Sequence, residues 1–492
     1  MFERFLTLGR QTVIYGLGGA GLQLVGLVTL PIFTRVFSPT QYGVLETTIA
    51  AYAALLVLAD LGLTSSALRS YYDYDSNEEP QRRSALSTGL SSSLVLATLW
   101  AAVALIFAHA ISDWQFGTGR YADLIRIAAI AVPVTILASF LREVMRVKLL
   151  PWGYTASAIS GSLGATAFSV TAVLAFHGGL ASILLGTLVG NGLAAILGLA
   201  VIHADLFGRF SRPELRRMLA YGLPLIPASL ALWGVNLLDR SLLYKLGPKP
   251  DTGQYAVANR FGSLLMFLVT AFALAFGPFQ LALWREDADL EKHVRSRALT
   301  YLTIGLVGTA VLLSLFAREI VRLISPSYTS AYEAVGMLTM SVALFGISNL
   351  VLFGIGITRR MGYVAIYTVV ALTLNVVLNL VLIPRWGMLG SAFATLIAYG
   401  ALAAFYYHRS QILYPTPYAL GKTVRTVVLG GLAMAVGLVR FEPLGLSLVV
   451  KGATALAFAA SLWLFGVLDH DDLGGARAAL GRVRSRGRGV SA

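Results

Sequence analysis

Arg240 and Arg260 lie inside long apolar stretches, whereas nearly all the remaining Lys and Arg residues of the chain fall between such stretches. A guanidinium in a bilayer interior costs about 2.5 to 3.5 kcal/mol even on insertion-based scales, so a partner, water or a function has to offset it. Asn236, Asp239, Tyr255 and Asn259 stand beside these arginines in the sequence. Asn236 and Arg240 are four apart and share a helix face, while Asp239 and Arg240 diverge by about 100°, so Asp239 does not simply neutralise Arg240. Counted from the ends of their stretches, Asn236, Asp239 and Arg240 reach a depth similar to that of Asn259 and Arg260. Two readings stand together: Asp239 pairs with Arg260 and fastens two helices, or the cluster forms a cationic lining for an anionic headgroup.

The elements that would position these residues are membrane helices. Fourteen apolar stretches, most of them about the twenty residues that a helix needs to cross a bilayer, run approximately over 12–33, 44–66, 87–109, 127–141, 154–176, 180–203, 218–244, 256–283, 298–317, 332–357, 361–383, 387–407, 423–439 and 446–467. Of 38 Lys and Arg residues, 25 fall in alternate segments beginning with the N-terminal one, nine in the other segments and four within spans, where Arg425 and Lys451 join Arg240 and Arg260. Basic residues concentrate on the cytoplasmic side of membrane proteins, so both termini are predicted to be cytoplasmic. The composition, 57% hydrophobic and 13% charged, falls well short of the roughly 25% charge of soluble domains. The net charge of +14 is therefore a topology signal. Its dispersal over eight segments speaks against nucleic-acid binding, which gathers charge on one face. The tail from Gly474 to Arg488 reads as a charge anchor for anionic lipid headgroups.

Several chemistries are excluded by what is missing. There is no cysteine, so disulfides, thiol catalysis and iron–sulfur clusters are out. Gly421, Lys422 and Thr423 look like the end of a phosphate loop, but Thr416 occupies the place of the required upstream glycine. The six histidines are too scattered to suggest a metal cluster, and no HExxH occurs. The longest outer connection, about 110–126, leaves no room for an external catalytic domain. No enzyme and no cofactor is expected. The N-terminal apolar run resembles a signal peptide but is too long and lacks a small-x-small cleavage site, so it reads as a retained helix.

Other polar residues carry paired readings. Arg35 and Glu46, at the outer ends of the first two spans, are the first half's equivalents of the arginine cluster, with interfacial snorkelling as the alternative for Arg35. Asp60 is either a proton or cation coupling site or a helix-end group near water, and Asp239 and Glu46 are further coupling candidates. Asn375 and Asn379, one turn apart, suit interhelical hydrogen bonds. Pro224 and Pro227 should kink the seventh span and make it a candidate hinge.

The chain also repeats itself. Gly153-Tyr154 recurs as Gly362-Tyr363, and the turn at Gly178 to Ser182 recurs at Gly387 to Ser391, both at an offset of 209. Asp239, Arg240 and Tyr255 echo Thr34, Arg35 and Tyr42 earlier in the other half. Six spans is an even number, so the copies are parallel repeats. The expectation is an all-α protein of two six-helix lobes around a central cavity: residues 1–208, 209–411, two appended helices over 412–470 and a basic tail, 471–492.

Leu30 to Pro39 followed by Tyr42-Gly43, the run Ala59 to Leu63, Leu238-Asp239-Arg240 followed by Gly253-Gln254-Tyr255, and Asn375 to Asn379 leading to Ile383 through Gly387 resemble, in order and spacing, the Wzx-type polysaccharide flippases. These belong to the multidrug/oligosaccharidyl-lipid/polysaccharide (MOP) exporter superfamily. The resemblance implies two six-helix lobes plus two helices in a bacterial inner membrane. It also implies movement of an undecaprenyl-diphosphate-linked oligosaccharide to the outer leaflet, with a polysaccharide polymerase and chain-length machinery as partners. Arg240 and Arg260 would then meet the diphosphate, and Asn236, Asn259 and Tyr255 the sugars. Arg260 matches an arginine that the related lipid II flippases keep early in span eight. Their Arg-Asp pair in span one has no equivalent at Leu27, Val28 and Thr29, which favours the Wzx type. A cation antiporter of the superfamily would need an acidic cavity, and a non-transporting scaffold would not need Arg260.

Overall fold

The computed structural model describes residues 29–468 apart from 76, 207, 224 and 225, and every regular element among them is helical. After a short helical segment, 29–36, the first half comprises α1 (Pro39–Asp60), α2 (Leu63–Asp73), α3 (Glu79–Ile106), α4 (Ala108–Phe116), α5 (Ala122–Val147), α6 (Pro151–Leu174) and α7 (Ala181–Leu206). Then come α8 (Arg212–Gly222), α9 (Ile226–Trp233), a π-helical turn at Gly234–Leu238, α10 (Asp239–Leu246), α11 (Lys249–Glu286), α12 (Ala288–Ile324), α13 (Tyr332–Val351), α14 (Phe353–Ile357) and α15 (Gly362–Leu413). The chain continues through α16 (Leu420–Gly437) and α17 (Leu444–Leu464).

Eleven helical stretches among the described residues are long and apolar enough to cross a membrane. The 52-residue α15 holds two expected spans joined across Gly387, and α9 to α10 supply the seventh. Each expected span from the second to the fourteenth thus has a helical counterpart. The first lies outside the described residues but for its last turn, as does the basic tail.

Local chemistry explains the ends and breaks. Ser38 starts α1 with a reciprocal capping box: Gln41 N–H donates to its hydroxyl at 3.3 Å, and Ser38 N–H donates to Gln41 Oε1 at 2.9 Å. Gly387 adopts φ 53° and ψ −130°, a conformation that favours glycine, and a Cβ there would lie 2.1 Å from Asp251 Oδ2. That oxygen accepts Met388 N–H at 2.9 Å, so Asp251 restarts the helix after the break.

The two halves share their turns. Left-handed residues occur at Leu149 and Arg359, and again at His177 and Gly387, each pair 210 positions apart. The first pair closes matching Schellman turns, with Leu150 N–H on Met145 O at 2.9 Å and Arg360 N–H on Ile355 O at 3.3 Å.

Packing is unequal along the length of the halves. One hydrophobic core takes residues from both, with Phe33, Phe37, Tyr42 and Phe116 against Tyr244, Tyr255 and Tyr328. It lies at the end where α1 and α11 begin. At this end Gly253 touches the backbone of Pro39 so closely that a Cβ would stand 2.0 Å from its carbonyl oxygen. Ser325 donates to Thr34 O at 2.9 Å and Tyr328 to Phe37 O at 2.8 Å. Toward the other end the cores are separate: one joins α2, α3, α5 and α7 and takes in Met218 of α8, another joins α11, α12 and α13 to α16 and α17.

The seventh span carries a π turn at Gly234–Leu238 that the expectation of a kinked helix did not include. Pro224 lies outside the described residues. Pro227 is the second residue of α9 as described. Among the described residues the stretch comprises α8, α9, the π turn and α10. Moreover α8 packs on the first half: Met218 enters its core, Tyr74 donates to Glu214, and Gly222 lies against Gly62.

Candidate functional site

The π turn of five residues widens the helix between α9 and α10, a feature frequent at functional sites. It is followed directly by Asp239 and Arg240. Arg240 Nη1 donates to Asn236 O at 3.0 Å, the same-face relation expected for residues four apart. On α1, Tyr42 and Glu46 are also one turn apart and face the arginines of α10 and α11.

Glu46 is the meeting point. Its Oε1 accepts from Arg260 Nη2 at 2.9 Å, and its Oε2 lies 3.2 Å from Arg240 Nε. The Glu46 and Arg240 side chains are 5% and 7% exposed, whereas Arg260 is 36% exposed. Arg260 Nη2 also reaches the Tyr42 hydroxyl at 3.4 Å. The Arg240 Nε contact is an ion pair without hydrogen-bond geometry, which leaves this buried nitrogen with no hydrogen-bond acceptor. Two guanidiniums and one carboxylate leave the triad with a net positive charge, and the pairs join the two halves of the molecule.

The expected pairing of Asp239 with Arg260 is not found. Asp239 Oδ2 accepts from the Tyr255 hydroxyl at 2.5 Å, and Oδ1 accepts Arg240 N–H at 2.8 Å. Tyr255 leads on to Thr395 Oγ1 at 3.4 Å, which Asn375 Nδ2 also reaches at 3.4 Å. Asn379 Nδ2 donates to Asn375 Oδ1 at 3.0 Å. Asn375 therefore bonds across to the following helix as expected, while Asn379 bonds within its own. This buried chain of oxygens carries one carboxylate, and Asn379 Oδ1 and Ser391 Oγ have no hydrogen-bond partner.

A cavity of about 200 Å³ opens beside this chain, lined by Asn236, Asp239, Tyr255, Asn259, Thr395 and Tyr399 among others. Tyr399 donates to Asn236 Oδ1 at 2.9 Å. Asn236, Asp239, Tyr255 and Asn259 are thus brought together, with Arg240, Arg260 and Glu46 next to them. Arg35 and Asp60 stand apart. Arg35 donates to Ile324 O at 3.0 Å and Leu323 O at 3.3 Å, the favourable position of a cation at a helix C-terminus. Asp60 Oδ1 accepts Thr64 N–H at 3.2 Å and its hydroxyl, so it serves the break between α1 and α2. Among the described residues no group of three or more His, Cys, Asp or Glu could hold a metal.

Sequence reasoning missed that Glu46 closes the arginine pair. It also missed Tyr399 and the π turn. The one-turn spacing of Tyr42 and Glu46 was a usable signal for the first; no pattern marked the other two.

Comparison with known proteins agrees with this architecture. The fold is similar to the lipid II flippase MurJ in an inward closed conformation, with a TM-score of 0.73 at 12% identity over 93% of this chain and all of that one. An inward-facing multidrug resistance MATE family transporter of the MOP superfamily gives 0.64 at 14% identity, covering 82% of this chain and 94% of the other. The outward-facing conformation of such a transporter gives 0.55. In sequence, the succinoglycan biosynthesis transport protein ExoT of Rhizobium meliloti (strain 1021) is 24% identical over 270 residues, 52% of this chain. The match spans about half of that relative's length, 51%. A family described as polysaccharide biosynthesis protein matches residues 8–279. With more than half of its length matched and a fold shared with MOP-superfamily transporters, this multi-pass membrane chain belongs to the polysaccharide biosynthesis protein family.

Proposed function

We propose that this protein is a flippase for lipid-linked oligosaccharides, which moves undecaprenyl-diphosphate-linked repeat units from the cytoplasmic to the outer leaflet for cell-surface polysaccharide. The observation that carries this reading is the convergence of Arg240 and Arg260 from one lobe on a single carboxylate of the other. A diphosphate cannot cross hydrocarbon unaided, and paired guanidiniums are the side chains best matched to phosphate oxygens. The polar cavity beside them, with Asn236, Asn259 and Tyr255 on its walls, suits the sugars. Two arginines against one glutamate favour an anionic substrate over the cations of an antiporter.

The lobes, drawn as residues 1–208 and 209–411 with appended helices at 412–470, would rock between inward and outward openings. Basic residues concentrate at the ends of the helices away from Pro39 and Lys249, so the sealed end would face outward in a bacterial inner membrane, with both termini cytoplasmic. The stretch around Pro224 and Pro227 is the proposed hinge. An ion gradient or the membrane potential would drive the cycle. Asp239 is the coupling candidate with the most oxygen neighbours; Asp60 and Glu46 are the others. The protein is thus a transporter rather than an enzyme, working alongside a polysaccharide polymerase and chain-length machinery.

Complementation of glycan export in a flippase-null strain with a compatible glycan tests the reading. Export by wild type, its loss in Arg260→Ala at matched membrane expression and partial recovery with Arg260→Lys are expected. Undiminished export by Arg260→Ala would refute it.

A further inference from the structure

The arginine pair and the sealed end occupy the same stretch of structure. Glu46 lies seven residues into α1 from Pro39, and Arg260 seven residues into α11 from Gly253. The triad therefore sits about two helical turns below the point where Gly253 meets the Pro39 backbone. It is a polar link between the lobes at that depth. Glu46 meets only part of the positive charge there, and Arg240 Nε is buried without a hydrogen-bond acceptor.

We propose that Glu46 is a placeholder anion and latch: a diphosphate group takes its place on Arg240 and Arg260, and its departure releases the lobes at the sealed end. This rests on the flippase reading and adds a role for Glu46 as the substrate's competitor. A diphosphate diester carries a negative charge on each phosphorus, one for each guanidinium, whereas Glu46 offers one for both. A carboxylate left beside a bound diphosphate suffers like-charge repulsion in a poorly solvated site. Displacement therefore loads the substrate and breaks the polar link between the lobes in one event. After release, Glu46 returns to the arginines and reseals the empty carrier, so no uncompensated guanidinium pair stays buried.

The sign of one affinity change distinguishes this from a Glu46 that binds substrate or acts as a fixed strut. The chain has no cysteine, so spin labels at Asp123→Cys and Ser330→Cys report on opposite lobes near the sealed end. The full chain would be studied in nanodiscs, with inorganic pyrophosphate in solution or undecaprenyl diphosphate in the bilayer as the probe. Wild type should show a short distance that lengthens with probe. Glu46→Gln should show the longer distance without probe and bind probe on the order of tenfold more tightly, a typical size for coupling between competing events. Glu46→Asp, which keeps the charge, should behave as wild type and report that the site tolerates substitution. A response to undecaprenyl diphosphate alone assigns the exchange to the lipid headgroup; a response to pyrophosphate as well assigns it to the diphosphate itself, and both support the latch. Probe binding by wild type that is unchanged or weaker in Glu46→Gln overturns the latch and leaves the flippase reading standing. Binding of neither probe to wild type or to Glu46→Gln overturns the flippase reading, and the latch with it.

Discussion

Two arginine–glutamate sites in this protein differ in what surrounds them. Arg295 and Glu291 lie one turn apart on α12, 0% and 1% exposed, with Nε to Oε1 at 3.2 Å. Thr416 accepts from Arg295, and the rings of Phe353, Tyr414 and Tyr418 pack around its guanidinium at 5.1 to 5.5 Å. All of these partners belong to the second half of the chain, so no motion between the lobes disturbs them. Glu46, Arg240 and Arg260 have comparable ion-pair distances but belong to different lobes, and Arg260 stays 36% exposed. Distance alone does not separate a strut from a working site. What separates them is whether the partners move together and whether a ligand can reach the charge.

The largest effect is expected from breaking the strut. Arg295→Ala strands Glu291 in the interior, and removing one member of a buried pair costs about 3–5 kcal/mol. A fall in detergent thermal stability much greater than that of Arg260→Ala would bear out the comparison, and equal falls would erase it. Gly253→Ala comes next, because its Cβ would stand 2.0 Å from a backbone oxygen of the other lobe. The label pair at positions 123 and 330 should read a longer distance, with little loss of thermal stability, since the two cores toward the other end are untouched. An unchanged distance would show that the seam does not govern the opening. The smallest effect belongs to Arg126→Ala. Arg126 and Asp123 are 2.7 Å apart, but Asp123 is 80% exposed, and such pairs contribute about 0–1 kcal/mol. A melting curve superimposable on wild type is the expected result.

Much of the architecture was legible because a bilayer imposes it. Backbone groups in hydrocarbon must bond within their own helix, so uninterrupted apolar runs could become little else, and basic residues marked alternate ends. The internal repeat was readable at Gly153 and Gly362 because both follow a turn that depends on local backbone geometry. The candidate site was legible in part. Arg240 and Arg260 stood out because charge is costly in an apolar run, and the neighbouring Asn236, Asn259, Asp239 and Tyr255 do gather with them. Their partners were not legible: Asp239 turns to Tyr255 and not to Arg260, and Arg35 caps α12 away from the cluster.

Composition and periodicity by themselves settled that this chain is a helical membrane protein with two arginines placed where they need compensation, since both follow from transfer free energies that depend only on local sequence. Only the tertiary structure decided which carboxylate answers them, that the seventh span carries a π turn, and that the lobes close at one end. Those outcomes depend on contacts between residues about two hundred positions apart, such as Glu46 with Arg240 and Arg260, and on how closely backbones approach at Gly253. Such contacts are set by packing, to which no local pattern of residues corresponds.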